Sequence, residues 1–223
     1  MKILTLLSVS ALLCAVTPSF AQDKCPVNFE KISPEDFEIK TAGVDTSFGA
    51  IILADVGKSS FEANKKGFFN IQFKINRRIK ILNSKGFDLA TVKIPLYRDY
   101  NSDREEVLES LKASTYNLVN GKIEETRLDK ENVFREVQDK KHVIKKFTMP
   151  AVKEGSIIDI SYTIYSDFLF NLQPWYFQGS YPRLWSEYNL SLPSFFRYVF
   201  LTKGALNFHI KEEKEKFQSF IVR

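Results

Sequence analysis

Few residues in this sequence have the types and spacing that catalysis requires. His142 and His209 lie in strand-like runs with no further ligand at metal-binding spacing. Because the chain has 2 Cys and 2 His, a structural zinc site with four such ligands would need all of them. Glu105, Glu106 and Glu109 could pair as acid and base, but a solvated charged face explains them better. We therefore predict no catalytic residue, no metal site and no cofactor.

The N-terminus has the pattern of a secretory signal peptide. Lys2 precedes an apolar run of roughly 14 residues, which ends near the small-x-small sequence Ser19-Phe20-Ala21. The run is shorter than the ~20 residues that a membrane span needs. We predict that residues 1–21 are removed after Ala21 and that the protein is exported to the periplasm, the outer surface or the medium. No transmembrane segment is expected in the mature chain.

Cleavage would leave Cys25 as the one cysteine of the mature chain. A lone thiol cannot form an internal disulfide, and a nucleophilic thiol needs a placed histidine base. We interpret Cys25 as a small apolar residue near a loose terminus, rather than as a nucleophile or an intermolecular bridge. Lipid attachment at Cys14 is disfavoured because Leu13 precedes it, where a small residue is expected.

Composition excludes several classes of protein. The net charge of +5 is spread over mixed charges along the chain and gives no support for nucleic-acid binding. Hydrophobic residues at 44% and charged residues at 26% exclude a largely disordered chain. The low content of glycine (9) and proline (8) excludes collagen-like and low-complexity sequences. The chain is expected to form a globular domain.

Alternation of apolar and polar residues predicts β-strands. It is clearest in residues 71–81 and 158–165, and it recurs in 188–192 and 206–210. In the second of these runs one buried face is predicted to consist of Ile158, Ile160, Tyr162 and Ile164. Residues 49–55 are more uniformly apolar, which indicates a strand buried on both faces.

Turn residues separate these strands. Asn120-Gly121 is typical of a two-residue type I′ hairpin, which pairs Leu118 with Ile123 and Thr115 with Thr126. The charged run 211–216 is predicted to be a hairpin tip that leads to a last strand at 217–222.

Helix signals are few. Residues 33–36 have an N-cap serine followed by proline and acids, which predicts a single turn. Asp129 is predicted to cap a short helix that carries Val133, Phe134 and Val137. The pattern of residues 104–113 fits either a helix or a strand.

These elements predict an all-β fold, an antiparallel sandwich-like domain with one or two short helical turns. We assign residues 22–47 to a lead-in segment and residues 48–223 to the β domain. The strand at 217–222 is either an edge strand or a sign that the domain continues beyond it.

An aromatic segment at residues 171–178 is the best candidate for a binding surface. Trp175, Tyr176 and Phe177 are consecutive, so on a strand they cannot share one face. The simplest interpretation is a core corner with Trp175 packed between sheets. The alternative is an aromatic platform for a sugar or peptide. Its candidate ligand-binding residues are Tyr176, Gln178, Tyr181 and Trp185.

Several motifs resemble a known family. Residues 147–162, FTMPAVKEGSIIDISY, are similar to the segment F-T-x-P-x-V-K-x-G-S-x-I-E-Y-x-Y. That segment marks a bacterial domain of unknown function found ahead of transglutaminase-like domains. Asp159-Ile160 is a conservative departure, since the family more often has Glu-Tyr. Further similar stretches between Phe48 and Tyr198 are 78–86, 113–117, 174–178, 186–188 and 193–198.

The resemblance implies an exported multidomain protein in which this β domain precedes a papain-like Cys-His-Asp domain. No residue here matches that catalytic motif, so no catalytic role is carried over. We expect a non-catalytic accessory domain that packs on, or presents substrate to, a transglutaminase-like or protease-like domain in cis or in trans. The alternative is a free-standing glycan- or peptide-binding module. An enzyme in its own right is disfavoured because the sequence supplies no catalytic constellation.

Overall fold

The computed structural model describes residues 24–38, 47–63, 68–196, 199, 201–204, 207–214 and 219–222, the last two ranges including positions of which only the backbone is described. The predicted signal peptide, its cleavage site and parts of the predicted strands 206–210 and 217–222 lie outside the described residues. Within the described part, no helix is long and apolar enough to cross a membrane.

The described residues form eleven strands and three short 3₁₀ helices. The 3₁₀ helices are Pro34–Phe37, Ser84–Ala90 and Lys130–Asn132. The strands are β1 Ala50–Ala63, β2 Phe69–Ile81, β3 Thr91–Tyr97, β4 Val107–Val119, β5 Lys122–Arg127, β6 Phe134–Val137, β7 His142–Thr148, β8 Ile157–Ser166, β9 Ser186–Ser191, β10 Lys211–Lys214 and β11 Ser219–Val222.

Two sheets of unequal size pack together, which confirms the predicted all-β sandwich-like class. The large sheet has eight strands in the order β10-β11-β9-β1-β2-β8-β4-β5, and the small sheet has three in the order β3-β7-β6. Neighbouring strands are antiparallel except for β1 and β9, which are parallel. Pro95 lies in β3 at an edge of the small sheet. Proline has no N–H to donate, and an edge strand tolerates this better than a central strand does.

The main core lies between the two sheets. The face of the large sheet that contributes to it, here called the inner face, includes the predicted set from β8: Ile158, Ile160 and Ile164 are buried, and Tyr162 is partly buried against them. The small sheet supplies Ile94, Leu96 and Phe147. The predicted buried strand at 49–55 is likewise confirmed, because residues 50–55 of β1 are all buried.

Local turn chemistry fixes the register of the β4–β5 hairpin as predicted. Asn120 and Gly121 both have positive φ, 50° and 74°. Leu118 pairs with Ile123 and Thr115 with Thr126. The ambiguous segment 104–113 contributes to strand β4, whose pairing with β8 shifts between Glu109 and Lys112. A bulge at this point interrupts the two-residue period, which is why the sequence fitted a helix as well as a strand.

Four local predictions are wrong. Residues 207–210, the described part of the predicted strand 206–210, do not form a strand. Asp129 does accept a hydrogen bond from the Glu131 N–H, but the helix that it caps ends at Asn132, and Phe134–Val137 form strand β6 against β7. Residues 174–177 are irregular chain and not a strand. The predicted hairpin tip starts too early, because Lys211–Lys214 is strand β10, paired with β11. In each case the pairing of the backbone with another strand, or the absence of such pairing, decides the local structure.

Residues 24–38 of the predicted lead-in pack on the opposite face of the large sheet, here called the outer face. Arg78 has a fully buried side chain that binds Asp159 through two hydrogen bonds, at 2.7 and 2.6 Å. Its Nη2 also donates to the carbonyls of Asn28, at 3.1 Å, and Lys31, at 3.2 Å. The single helical turn predicted at 33–36 is confirmed as Pro34–Phe37. The N-terminal segment therefore shields this part of the sheet from water.

Candidate binding site

Two arginines and one aspartate interrupt the apolar inner face of the large sheet. Asp55 on β1 pairs with Arg77 on β2, and Arg183 lies just before β9. In the alternation of β2, Arg77 takes a position between Ile75 and Ile79 where an apolar residue would continue the core. The Asp55 side chain is 1% exposed. Since burying a charge is costly unless it is paired, these residues depend on their mutual contacts.

The geometry of this cluster is that of one carboxylate held by two guanidinium groups. Nε and Nη2 of Arg77 donate to Oδ1 and Oδ2 of Asp55 at 3.0 and 2.8 Å. Nη1 of Arg183 donates to Oδ2 of Asp55 at 2.6 Å and to the carbonyl of Tyr176 at 2.8 Å. Two positive charges thus face one negative charge, and the cluster carries a formal excess of one positive charge.

Burial and neighbouring charge affect the two arginines differently. Burial alone would lower the pKa of Arg77, but the carboxylate of Asp55 outweighs it and raises the pKa. Burial lowers the pKa of Arg183; the Asp55 carboxylate opposes this and the positive charge of Arg77 adds to it. Both guanidinium groups remain protonated at neutral pH. Asp55 holds both guanidinium groups in place through these hydrogen bonds.

Trp175 covers the neighbouring part of the inner face. Its indole stacks on Tyr188 with ring centroids 5.4 Å apart and an interplanar angle of 16°. Its Nε1 donates to Oγ of Ser186 at 3.2 Å. A Cβ atom on Gly57 would lie 2.4 Å from the indole, so glycine lets the ring rest directly on the β1 backbone. The Tyr188 hydroxyl donates to Oγ of Ser59 at 2.7 Å, and burial raises the pKa of that tyrosine.

A cavity of about 150 Å³ lies between this tryptophan and the charged cluster. We call it the Asp55 cavity. Phe73, Ile75 and Pro174 contribute apolar walls. Its polar lining includes Gln173 and Ser59 besides the charged cluster. A concave site with apolar walls and a few convergent polar groups suits binding of a small group.

A larger cavity of about 430 Å³ lies at the β4 bulge, under the N-terminal segment. Arg127 lines it but is 78% exposed, and it pairs with Glu125 at 3.0 Å. Exposed ion pairs of this kind contribute little energy and are screened by salt. The Asp55 cavity, with its buried carboxylate, is therefore the stronger candidate site.

A family model for domains of unknown function with a solved structure, DUF3857, matches residues 70–220, more than half of the chain. The chain belongs to the DUF3857 family. This confirms the resemblance to a domain of unknown function, and the association with transglutaminase-like domains stays a prediction. The matched range of the DUF3857 domain begins in β2, so β1, which supplies Asp55 and Gly57, lies ahead of it.

The fold of this DUF3857 chain is similar to a solved structure of a putative protease from Parabacteroides distasonis. The TM-score is 0.52 and the sequence identity is 10%. The match covers 78% of this chain and 35% of the other, so the chain spans about a third of that protein. At this identity the likeness concerns the fold alone. A comparison with curated proteins finds no match.

The four residues predicted to bind a ligand do not converge in the DUF3857 domain. Tyr176 is 70% exposed and lies at the rim of the Asp55 cavity. Gln178 is exposed on the same loop. Trp185 donates from Nε1 to Glu187 at 2.9 Å. Of the four, Tyr176 alone is among the residues that line the Asp55 cavity.

Tyr181 anchors the loop that carries Trp175. Its hydroxyl donates to the carbonyl of Lys85 at 3.1 Å and bonds the carboxylate of Asp88, both in the 3₁₀ helix Ser84–Ala90. The hydrogen bond to Asp88 raises the pKa of Tyr181 to about 12. Its role in the DUF3857 domain is thus to fix the loop to the body of the fold.

Sequence reasoning missed the charged cluster. A signal was present, since Arg77 breaks the apolar series of β2 and Asp55 ends an otherwise apolar run. Arg77 was passed over within the alternating run 71–81, and Asp55 was included in the apolar run 49–55. Glu106 was also misjudged: it is 1% exposed and accepts from the Tyr97 N–H at 2.8 Å, so it is a buried structural carboxylate and not part of a solvated face.

Proposed function

We propose that this chain is a non-catalytic, exported accessory domain that packs on, or presents substrate to, a transglutaminase-like or protease-like domain in cis or in trans. One observation carries the proposal: the fold resembles about a third of a longer chain described as a putative protease. A β domain that occupies one part of such a chain is suited to positioning substrate for another part. The motif resemblance to domains that precede transglutaminase-like domains points the same way.

Several described side chains of the types used in catalysis have structural partners. His142 is exposed and pairs with Asp139 at 2.8 Å, and Glu106 is tied to backbone and amide groups. Among the described residues, no group of three or more His, Cys, Asp or Glu could hold a metal ion. Asp55 is neutralised by two arginines. None of these groups has the base-and-nucleophile geometry that covalent catalysis needs.

The accessory role is tested by reading the coding DNA after codon 223 and by assaying the products. We expect an encoded domain with Cys, His and Asp residues, in the same frame or in an adjacent gene. Adding the β domain should raise turnover of a protein substrate such as casein while leaving a short chromogenic peptide unaffected. Hydrolysis of either substrate by the present chain alone would contradict the proposal.

Export is tested separately. N-terminal sequencing of the protein recovered outside the cytoplasm should give Gln22 as the first residue, because Ser19-Phe20-Ala21 is the predicted cleavage motif. Recovery of a chain that still contains the apolar run 3–16 would contradict it.

A second function, a free-standing binding module, is favoured by the Asp55 cavity. The cavity combines apolar walls, an aromatic rim and buried charge, which are the usual features of a recognition site. Binding of a peptide or glycan by the isolated chain, without any catalytic partner, would favour this function over the accessory one.

A further inference from the structure

The charges of the Asp55 cavity are not balanced. Asp55, Arg77 and Arg183 are the acidic and basic residues that line it, and they leave one positive charge over. The Asp55 side chain is buried, so water screens this excess less than it would at an open surface. An anion that enters the cavity would meet two guanidinium groups already held in place by Asp55.

Hydrogen-bond donors are also left over. A guanidinium group has five N–H donors. Within the described residues Arg77 uses Nε and Nη2, both toward Asp55, and its side chain is 36% exposed. Nε of Arg183 is buried with no hydrogen-bond partner among the described residues. Because this Nε is buried, the donors that a ligand in the cavity can reach are the remaining N–H groups of Arg77, which lines the cavity.

We propose that the Asp55 cavity binds a carboxylate group of a peptide. A planar carboxylate matches the fork of a guanidinium group and carries the single negative charge that the excess requires. The volume of about 150 Å³ admits an end group rather than a drug-sized ligand, which needs 300–1,000 Å³. The walls of Phe73, Ile75 and Pro174 suit a short aliphatic group beside the charge.

Two sources of the carboxylate share this chemistry, the C-terminus of a peptide and an acidic side chain. Calorimetric titration of the chain with three probes separates them: N-acetyl-Ala-Ala with a free acid, its C-terminal amide, and N-acetyl-Ala-Glu amide. We expect the free acid, the glutamate peptide or both to bind, and the neutral amide to bind at least tenfold more weakly. Because the titration needs no catalytic partner, its failure would leave the accessory role untouched.

A matched pair of variants locates the binding. Arg77→Gln should lower the affinity for the peptide that binds by about tenfold or more, because it removes a charge-assisted donor pair. Asp55 keeps Arg183 as a partner in this variant. Arg77→Lys keeps the positive charge but lacks the paired N–H donors of a guanidinium group. Its affinity for the peptide should lie between those of Arg77→Gln and the unaltered chain. Arg127→Gln, at an exposed position of the other cavity, should leave affinity unchanged.

Several results would overturn the inference. They are equal binding of the acid and amide peptides, no binding of either acid peptide by the folded chain, and unchanged affinity in Arg77→Gln. Inorganic phosphate or glucuronate binding more tightly than both acid peptides would also overturn it, since the site would then recognise a different ligand. The acid–amide comparison uses the unaltered chain, so the test stands even if a variant fails to fold.

Discussion

Arg77 and Arg78 are neighbours on β2, yet they lie on opposite faces of the sheet and in opposite charge environments. Arg78, on the outer face, is a single guanidinium with two carboxylates nearby, Asp159 at 2.6 Å and Asp36 at 3.6 Å. Arg77, on the inner face, shares a single carboxylate, Asp55, with Arg183. The outer cluster has an excess of negative charge and the inner one an excess of positive charge.

The difference follows from what covers each face. Residues 24–38 bring backbone carbonyls to Arg78, so that its side chain is 0% exposed and its Nη2 donates to protein acceptors. The loop that carries Trp175 covers the other face incompletely and leaves the Asp55 cavity. The same residue type on successive positions is thus a structural clamp on one face and a candidate binding group on the other.

The largest expected effect comes from Arg78→Met. Removing one partner of a buried ion pair leaves Asp159 and two carbonyls unsatisfied, which typically costs about 3–5 kcal/mol. Denaturant unfolding of the variant measures the loss. Arg77→Met is the matched control and should cost less, about 1.5–3 kcal/mol, because the buried Asp55 loses two charge-assisted hydrogen bonds but keeps Arg183 as a partner. Equal losses in the two variants would mean that the faces are not distinct.

Trp175→Ala should have the next largest effect. The indole is partly buried and stacked on Tyr188, so we expect a loss of about 2–3 kcal/mol, below the 3–5 typical of a fully buried aromatic side chain. Tyr176→Ala, at an exposed neighbour, should leave the free energy of unfolding nearly unchanged. Thermal melts of both variants check this, and a Trp175→Ala protein as stable as the parent would show that the loop does not contribute to the fold.

Gly57→Ala should cost about 1–3 kcal/mol, the usual range for overpacking. The added methyl group would lie 2.4 Å from the indole of Trp175 and would push the ring away from β1. Lys58→Ala, at the next and exposed position of the same strand, is the control and should change stability little. Both are compared by denaturant unfolding together with tryptophan fluorescence. A Gly57→Ala protein with unchanged stability and fluorescence would contradict the close approach of the ring.

The smallest effect is a pH dependence at Tyr181. Its folded pKa is raised to about 12, above the ordinary value of 10.0. Between these values the unfolded chain loses the phenol proton first, so the contribution of Tyr181 to stability is present below pH 10 and is lost as the pH rises toward 12. Tyr181→Phe should therefore lose less stability over this interval. Unfolding curves at pH 9 to 11 measure it, and identical slopes for both proteins would refute the assignment.

Local patterns predicted much of this fold. The β4–β5 register followed from Asn120-Gly121, because the turn type requires positive φ at both positions. The buried face of β8 followed from a two-residue period, since the small sheet packs against that face. These features depend on neighbours in sequence, or on burial alone.

The rest depends on which other segment of the chain each strand pairs with or packs against. Phe134 and Val137 have a helical spacing, yet β7 offers backbone groups that make them a strand. Arg77 interrupts the apolar series of β2, and the reason is visible only when Asp55 and Arg183 are placed beside it. The outer face of β2 looked solvated because no pattern in residues 24–38 indicates that they cover Arg78. Sequence periodicity describes one strand at a time and cannot supply these contacts.

The parallel pairing of β1 with β9 has a consequence for the order of folding. β1 and β2 are joined by a short hairpin, whereas the contact between Asp55 and Arg183 joins residues 128 positions apart. Closing a longer loop costs more chain entropy, and such non-local pairings form slowly. During synthesis from the N-terminus, most of the chain must therefore be made before β9, the second neighbour of β1, can pair with it. Until then one edge of β1 stays open to pairing with other chains, which is a recognised route to aggregation.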